Sequence, residues 1–198
     1  MVACQANLLL VPIMTGLVIT AYSIKPPACV EYDPRVVEVA HEIMQMISAA
    51  LPPVTVEHIG STSVPGCAGK GIIDLMVLYP DGQLEAVKEG LQRLGFQMQT
   101  VGHIMPESRP MRVGAVRYKR RTYPLHVHVI AARSPEVKAL RAFRDRLRAS
   151  RQAVESYVEQ KRSILAAGVT DSREYTTMKS SFIRKALASR ASPSASRR

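Results

Sequence analysis

Two hydrophobic periods divide this chain, and the switches between them mark its elements. Val36, Ala40, Ile43, Ile47 and Leu51 recur at helical spacing. Asp33-Pro34 in front of them supplies an acid for the N-cap and a proline for the first helical position, and Pro52-Pro53 ends the run. Residues 54–60 and 72–78 read as strands around a loop of small and hydroxylated residues. Helical spacing returns at Leu84, Val87, Leu91 and Leu94, opened by Asp81-Gly82 and capped by Gly95. Residues 96–101, 111–118 and 124–130 read as further strands. Residues 102–110 form a loop, and Lys119-Arg120-Arg121-Thr122 joins the last two strands. From Ser134-Pro135 onward the spacing predicts three helices, at 135–149, 151–167 and 172–188. The last opens with Asp171-Ser172-Arg173-Glu174, which has the form of a capping box. The pattern predicts an α/β fold: a mixed β-sheet with flanking helices, followed by a helical C-terminal segment.

The two ends differ from this middle. Residues 8–24 are nearly all apolar, but Pro12 and Gly16 interrupt them, no Lys or Arg precedes them, and they fall short of about 20 residues. No membrane span is expected there, and residues 1–28 read as an extension outside the domain. Residues 189–198 are rich in Ser, Ala and Arg and read as a disordered basic tail. The domain is therefore placed at 29–188.

Charge sharpens the picture. The net charge is +11. Residues 1–100 carry 5 Lys/Arg against 9 Asp/Glu, whereas residues 101–198 carry 22 against 7, so the halves are −4 and +15. That asymmetry points to an anionic partner for the second half, or to solvated helix faces. Three cysteines, Cys4, Cys29 and Cys67, form no Cys-x-x-Cys pair and no disulfide framework. They suit a reducing, cytoplasmic setting.

The chemistry concentrates in Val56-Glu57-His58-Ile59-Gly60-Ser61-Thr62-Ser63-Val64-Pro65-Gly66 and in Gly69-Lys70-Gly71-Ile72-Ile73-Asp74-Leu75-Met76-Val77. A glycine and a serine at a strand end let backbone approach a ligand and offer hydrogen bonds to phosphate. Asp74 interrupts an aliphatic strand, which is costly unless the acid is paired or holds a cation. Gly60-Ser61, a spacer of twelve residues and Asp74 resemble the signature of the nucleotidyltransferase superfamily. More narrowly, the two stretches resemble the GrpB family, with the likeness running from about Glu31 to Leu187. It includes Tyr32-Asp33-Pro34, His126-Val127-His128-Val129, Phe143-Arg144-Asp145, Tyr157 with Lys161, and Tyr175 with Lys179 and Phe182. The resemblance implies a nucleotidyltransferase-like fold, with a Gly-Ser loop for a triphosphate and a carboxylate pair for divalent metal. Here the second carboxylate position, two residues after Asp74, holds Met76. A thioether cannot ligate Mg²⁺, which wants hard oxygen donors.

Other residues offer partners for Asp74. His126 and His128 sit two apart on a strand and project to one face. With Asp74 they make a candidate site for Mg²⁺, Mn²⁺ or Zn²⁺, or a phosphate clamp, or they are simply polar-face residues. Arg144, Lys161 and Lys179 lie within or beside the apolar stripes of the three C-terminal helices. Such cations need an anion or must reach out to water. Gly60, Ser61, Thr62, Ser63 and Lys70 are the candidate phosphate contacts, and Glu57 and His58 are supporting residues, Glu57 as an orienter of the loop backbone. The expected function is binding of an NTP, with transfer of a nucleotidyl group to an acceptor. The alternatives are a non-catalytic nucleotide- or RNA-binding module and a metal-dependent phosphoesterase. A small polyphosphate is the expected first partner and nucleic acid the second.

Overall fold

The computed structural model describes residues 16–188, apart from Lys25, Pro52 and Val101. The expected basic tail, the first fifteen residues, and one proline and one valine expected at two element ends (Pro52, Val101) fall outside the described residues.

The elements run β1 (Ile19–Thr20), α1 (Arg35–Ala50), β2 (Thr55–Ile59), β3 (Ile73–Tyr79), α2 (Leu84–Arg93), β4 (Gln97–Met98), β5 (Met111–Tyr118), β6 (Arg121–Ala131), α3 (Pro135–Ala149), α4 (Arg151–Ala166) and α5 (Ser172–Ala188). A single turn of 3-10 helix, Ser61–Ser63, follows β2. The sheet is ordered β1-β5-β6-β3-β2, with β4 also on β5. Among the described residues, β3 and β6 pair in parallel and the other strand pairs are antiparallel. The mixed α/β sheet with a helical C-terminal segment is thus the architecture that the residue pattern predicts.

The face alternation of β3 and β6 decides where the core and the site lie. Ile73, Leu75 and Val77, with Leu125, Val127 and Val129, bury one face against α1 and against Val87 and Leu91 of α2. Asp74 and Met76 point to the opposite face. Met76 is completely buried there, packed with Ile59, Leu78, Ile130 and Val137 of α3. A smaller apolar cluster joins α3, α4 and the loop after β2 through Leu147, Tyr157, Val158, Val64 and Cys67. The C-terminal helices are thereby held over the end of the sheet where Asp74 lies. Among the described residues, no helix is long and apolar enough to cross a membrane.

Three expectations are corrected. Residues 1–28 are not all outside the domain: Ile19 and Thr20 pair with Val116 and Ala115 of β5, and Ile19 is buried in the main core. Burial of that isoleucine and the sheet-edge hydrogen bonds bind the segment to the fold. The strand expected at 96–101 shortens to Gln97–Met98. The linker between β5 and β6 shrinks to Lys119 and Arg120, both at positive φ (43° and 67°), which is a two-residue hairpin turn made without glycine.

Candidate functional site

The site is built around the N-terminal end of β3. β2 leaves the sheet at Ile59, and Gly60 turns the chain with φ 72° and ψ −171°, a conformation that is nearly glycine-only. A Cβ at Gly60 would lie 3.0 Å from both Cβ and Cγ of Asp74. The glycine therefore does two things: it makes the bend, and it lets the loop backbone lie against the carboxylate.

Parallel pairing of β3 with β6 sets Asp74 opposite His126. His126 Nδ1 lies 3.4 Å and His128 Nε2 3.6 Å from Asp74 Oδ1. Burial alone would raise the Asp74 pKa; the two imidazoles outweigh it and hold the carboxyl well below its usual range. Beyond His126, Nε2 faces the Tyr22 hydroxyl at 3.1 Å, with the rings tilted at 50°. Beyond His128, Nδ1 faces the Arg109 guanidinium at 3.2 Å, and Arg109 is itself paired with Glu136. Burial pushes the His128 imidazole down, against the pull of Asp74.

A cavity of about 410 Å³ opens over this cluster. Gly60, Ser61, Lys70, Asp74, His126, His128, Arg144, Lys161 and Lys179 all line it. Lys161 is 1% exposed. Its Nζ donates to the Ala68 carbonyl and lies 3.3 Å from Ser61 Oγ, 3.5 Å from Cys67 Sγ and 4.3 Å from the Tyr157 ring centroid. Lys70 and Lys179 lie over the Tyr175 ring, at 4.6 and 5.9 Å from its centroid. Burial lowers the pKa of all three lysines, that of Lys70 to about 8 with help from Lys179.

Other expected site residues are used differently. The Thr62 hydroxyl donates to the Ile72 carbonyl and meets His58 Nε2, and the Ser63 hydroxyl donates to the Gly60 carbonyl. Both side chains are buried and hold the loop's shape; they do not line the cavity. His58 is half-buried beside them, and desolvation there pushes its pKa down to about 4. Glu57 does not orient loop N–H groups: it pairs with Arg141 and, at 2.8 Å, with Arg144. Arg144 also pairs with Asp145 at 2.9 Å, so its charge is already met. The reason is proximity of α3 to β2, which the sequence does not display. Tyr22 and Arg109 are further site residues that no pattern in the sequence marks. Tyr22 sits in the segment read as an extension, and Arg109 in a loop without period.

The expected metal set does not fit. Among the described residues, no three His, Cys, Asp or Glu side chains come together as ligands for one ion. A metal-binding histidine ordinarily donates its other ring N–H to an acceptor. Arg109 can only donate, so the hydrogen-bond network assigns an acceptor at His128 Nδ1 and the proton to Nε2, the atom facing Asp74. The second carboxylate position is Met76, sealed in an apolar pocket.

A model of the family described as "GrpB protein" matches residues 26–189. This chain belongs to the GrpB family. Among curated relatives, a UPF0157 protein of Streptomyces coelicolor is 33% identical over 157 residues, covering 77% of this chain and 78% of that one. One of Halalkalibacterium halodurans is 28% identical over 160 residues, covering 79% and 78%. The crystal structure of GrpB from Enterococcus faecalis has the same fold, with a TM-score of 0.57 and 24% identity over 81% of this chain and 99% of that one. Tyr22 lies before the first residue that the family model matches.

Proposed function

We propose that this GrpB-family chain binds a nucleoside triphosphate, or another small polyphosphate, in the cavity over Asp74. The observation that carries the reading is that Lys70, Lys161 and Lys179 line one cavity together with Gly60 and Ser61. Among the described residues, none of the three forms an ion pair with a carboxylate. Lys161 is buried and Lys70 and Lys179 are half-buried; ammonium groups drawn away from water without a counter-ion are costly, and a polyphosphate supplies that counter-ion. The volume falls in the range of small-molecule pockets, about 300–1,000 Å³. The exposed basic turn is a weaker rival for the anion. Lys119 is paired with Glu38 at 3.0 Å and Arg121 with Asp33 at 2.9 Å.

Transfer of the nucleotidyl group is a second reading. The ionised Asp74 with its imidazoles, in the same cavity as the lysines, favours it, and the buried Met76 speaks against a two-metal route. Thermal melting with each NTP tests binding. A nucleotide at ~100 times its Kd adds about 2.7 kcal/mol. Lys70→Met and Lys179→Met are expected to abolish the shift, and Lys119→Ala with Arg120→Ala to leave it. If no NTP at millimolar concentration raises Tm, the reading falls.

A further inference from the structure

Three tyrosines line the cavity: Tyr22, Tyr157 and Tyr175. Among the described residues, Tyr22 is the one whose hydroxyl meets an imidazole nitrogen, His126 Nε2 at 3.1 Å. The polarity of that contact follows from the far side of the ring. Nδ1 of His126 faces the Asp74 carboxylate at 3.4 Å, so Nδ1 carries the proton and Nε2 is the acceptor. Tyr22 is then the donor. Hydroxyl, imidazole and carboxylate stand in line, each within reach of the next, which is the arrangement of a nucleophile, its base and the group that orients the base. The neighbouring pair is wired the other way. Arg109 donates to His128 Nδ1, which leaves His128 Nε2 as a donor toward Asp74 and no free basic nitrogen on that ring.

The position of Tyr22 is held rather than incidental. Pairing of Ile19 and Thr20 with β5 fixes the strand before it. The Thr20 hydroxyl donates to the Ala115 carbonyl at 3.1 Å, and the Tyr22 amide donates to Gln97 Oε1 at 3.4 Å. Lys70, a candidate phosphate contact, lines the same cavity.

We propose that Tyr22 is the nucleophile of this cleft and becomes covalently nucleotidylated, a step that rests on the triphosphate-binding reading above. Tyr22 Oη attacks the α-phosphorus of the bound nucleoside triphosphate. An Oη–P bond forms, the bond from that phosphorus to the bridging oxygen breaks, and pyrophosphate leaves with the electron pair. The phenolic proton passes to His126 Nε2, and Asp74 holds the resulting imidazolium. Lys70, Lys161 and Lys179 oppose the charge gathering on the departing pyrophosphate. The product is an O-nucleotidyl tyrosine on a segment outside the span that the family model matches.

The test uses the full chain with each of the four nucleoside triphosphates, as magnesium salts, labelled at the α-phosphorus. The expected result is label retained on denatured protein, one pyrophosphate released per label, and an adduct mapped to Tyr22 by peptide mass spectrometry. Tyr22→Phe keeps the ring against His126 and is expected to lose the label while retaining the nucleotide-induced rise in Tm. His126→Gln is expected to slow labelling by ~100-fold or more. The proposal is overturned if wild-type protein shows the Tm shift but takes no α-label, if the adduct maps elsewhere, or if Tyr22→Phe labels like wild type. If no nucleotide shifts Tm at all, the underlying reading fails first and this step fails with it. Mapping on the wild-type chain decides the question even if a variant does not fold.

Discussion

Replacing Gly60 by alanine is the perturbation whose cost can be worked most directly from the structure. Two terms add. The backbone sits at φ 72° and ψ −171°, a region that costs a residue with a side chain about 1–3 kcal/mol. The new Cβ would lie 3.0 Å from Asp74 Cβ and Cγ, where carbon pairs rest at about 3.5–4.0 Å. Asp74 cannot retreat freely, because its strand is paired on both sides. Relieving such overpacking costs about 1–3 kcal/mol. Gly60→Ala is therefore expected to lose about 2–6 kcal/mol, a large part of a typical domain stability of about 5–15 kcal/mol. Gly66 provides the control. Its φ is 74°, but a Cβ there would have nothing within 4 Å. Gly66→Ala carries only the left-handed term of about 1–2 kcal/mol. Urea denaturation of both variants, compared at unchanged m-value, measures the difference. If Gly60→Ala costs no more than Gly66→Ala, the close approach of loop and carboxylate does not constrain the fold, and the account of this loop is wrong.

Three further outcomes are expected. Lys70, at a pKa of about 8 against 10.5 when unperturbed, is about half protonated at pH 8. If it receives phosphate, binding at pH 8 should take up about half a proton from this residue, and affinity should fall as pH rises through 8; calorimetry in buffers of different ionisation enthalpy checks this. Without ligand the sign reverses: between about 8 and 10.5 the unfolded lysine binds more protons than the folded one, so stability from this group rises with pH. Ile19→Ala should cost about 2 kcal/mol or more in urea melts, because Ile19 is buried in the main core; an unchanged midpoint would return the segment to the status of an appendage. Met76→Asp would set an unpaired acid among Ile59, Leu78, Ile130 and Val137, so it should destabilise by several kcal/mol and recover at acid pH; a stable variant that binds Mg²⁺ would show the pocket to be open to ions.

Much of the fold was legible in the residue order, for local reasons. Period and punctuation are local properties, and they placed α1, β2, β3, α2, β5, β6 and all three C-terminal helices close to their observed spans. The same alternation set Asp74 and Met76 on one face of β3, and His126 and His128 together on one face of β6. The GrpB likeness was carried by short blocks, each of residues close together in the chain.

What the tertiary structure decided was which groups meet. β1 is two residues long and has no period, so only its pairing with β5 makes it a strand. Tyr22 became a site residue because that pairing carries it to His126, 104 positions away. Arg109 has no sequence signal, yet its contact with His128 fixes a tautomer and turns the expected metal ligand into a hydrogen-bond donor. Thr62 and Ser63 look like phosphate contacts by composition, but the tight 3-10 turn spends their hydroxyls on nearby carbonyls. Glu57 and Arg144, 87 positions apart, neutralise each other because α3 packs beside β2, whereas Lys70, Lys161 and Lys179 are brought to one cavity without a carboxylate partner among the described residues. A sequence states which charges the chain carries. Which of them are already satisfied depends on distances between segments, and only folding sets those distances.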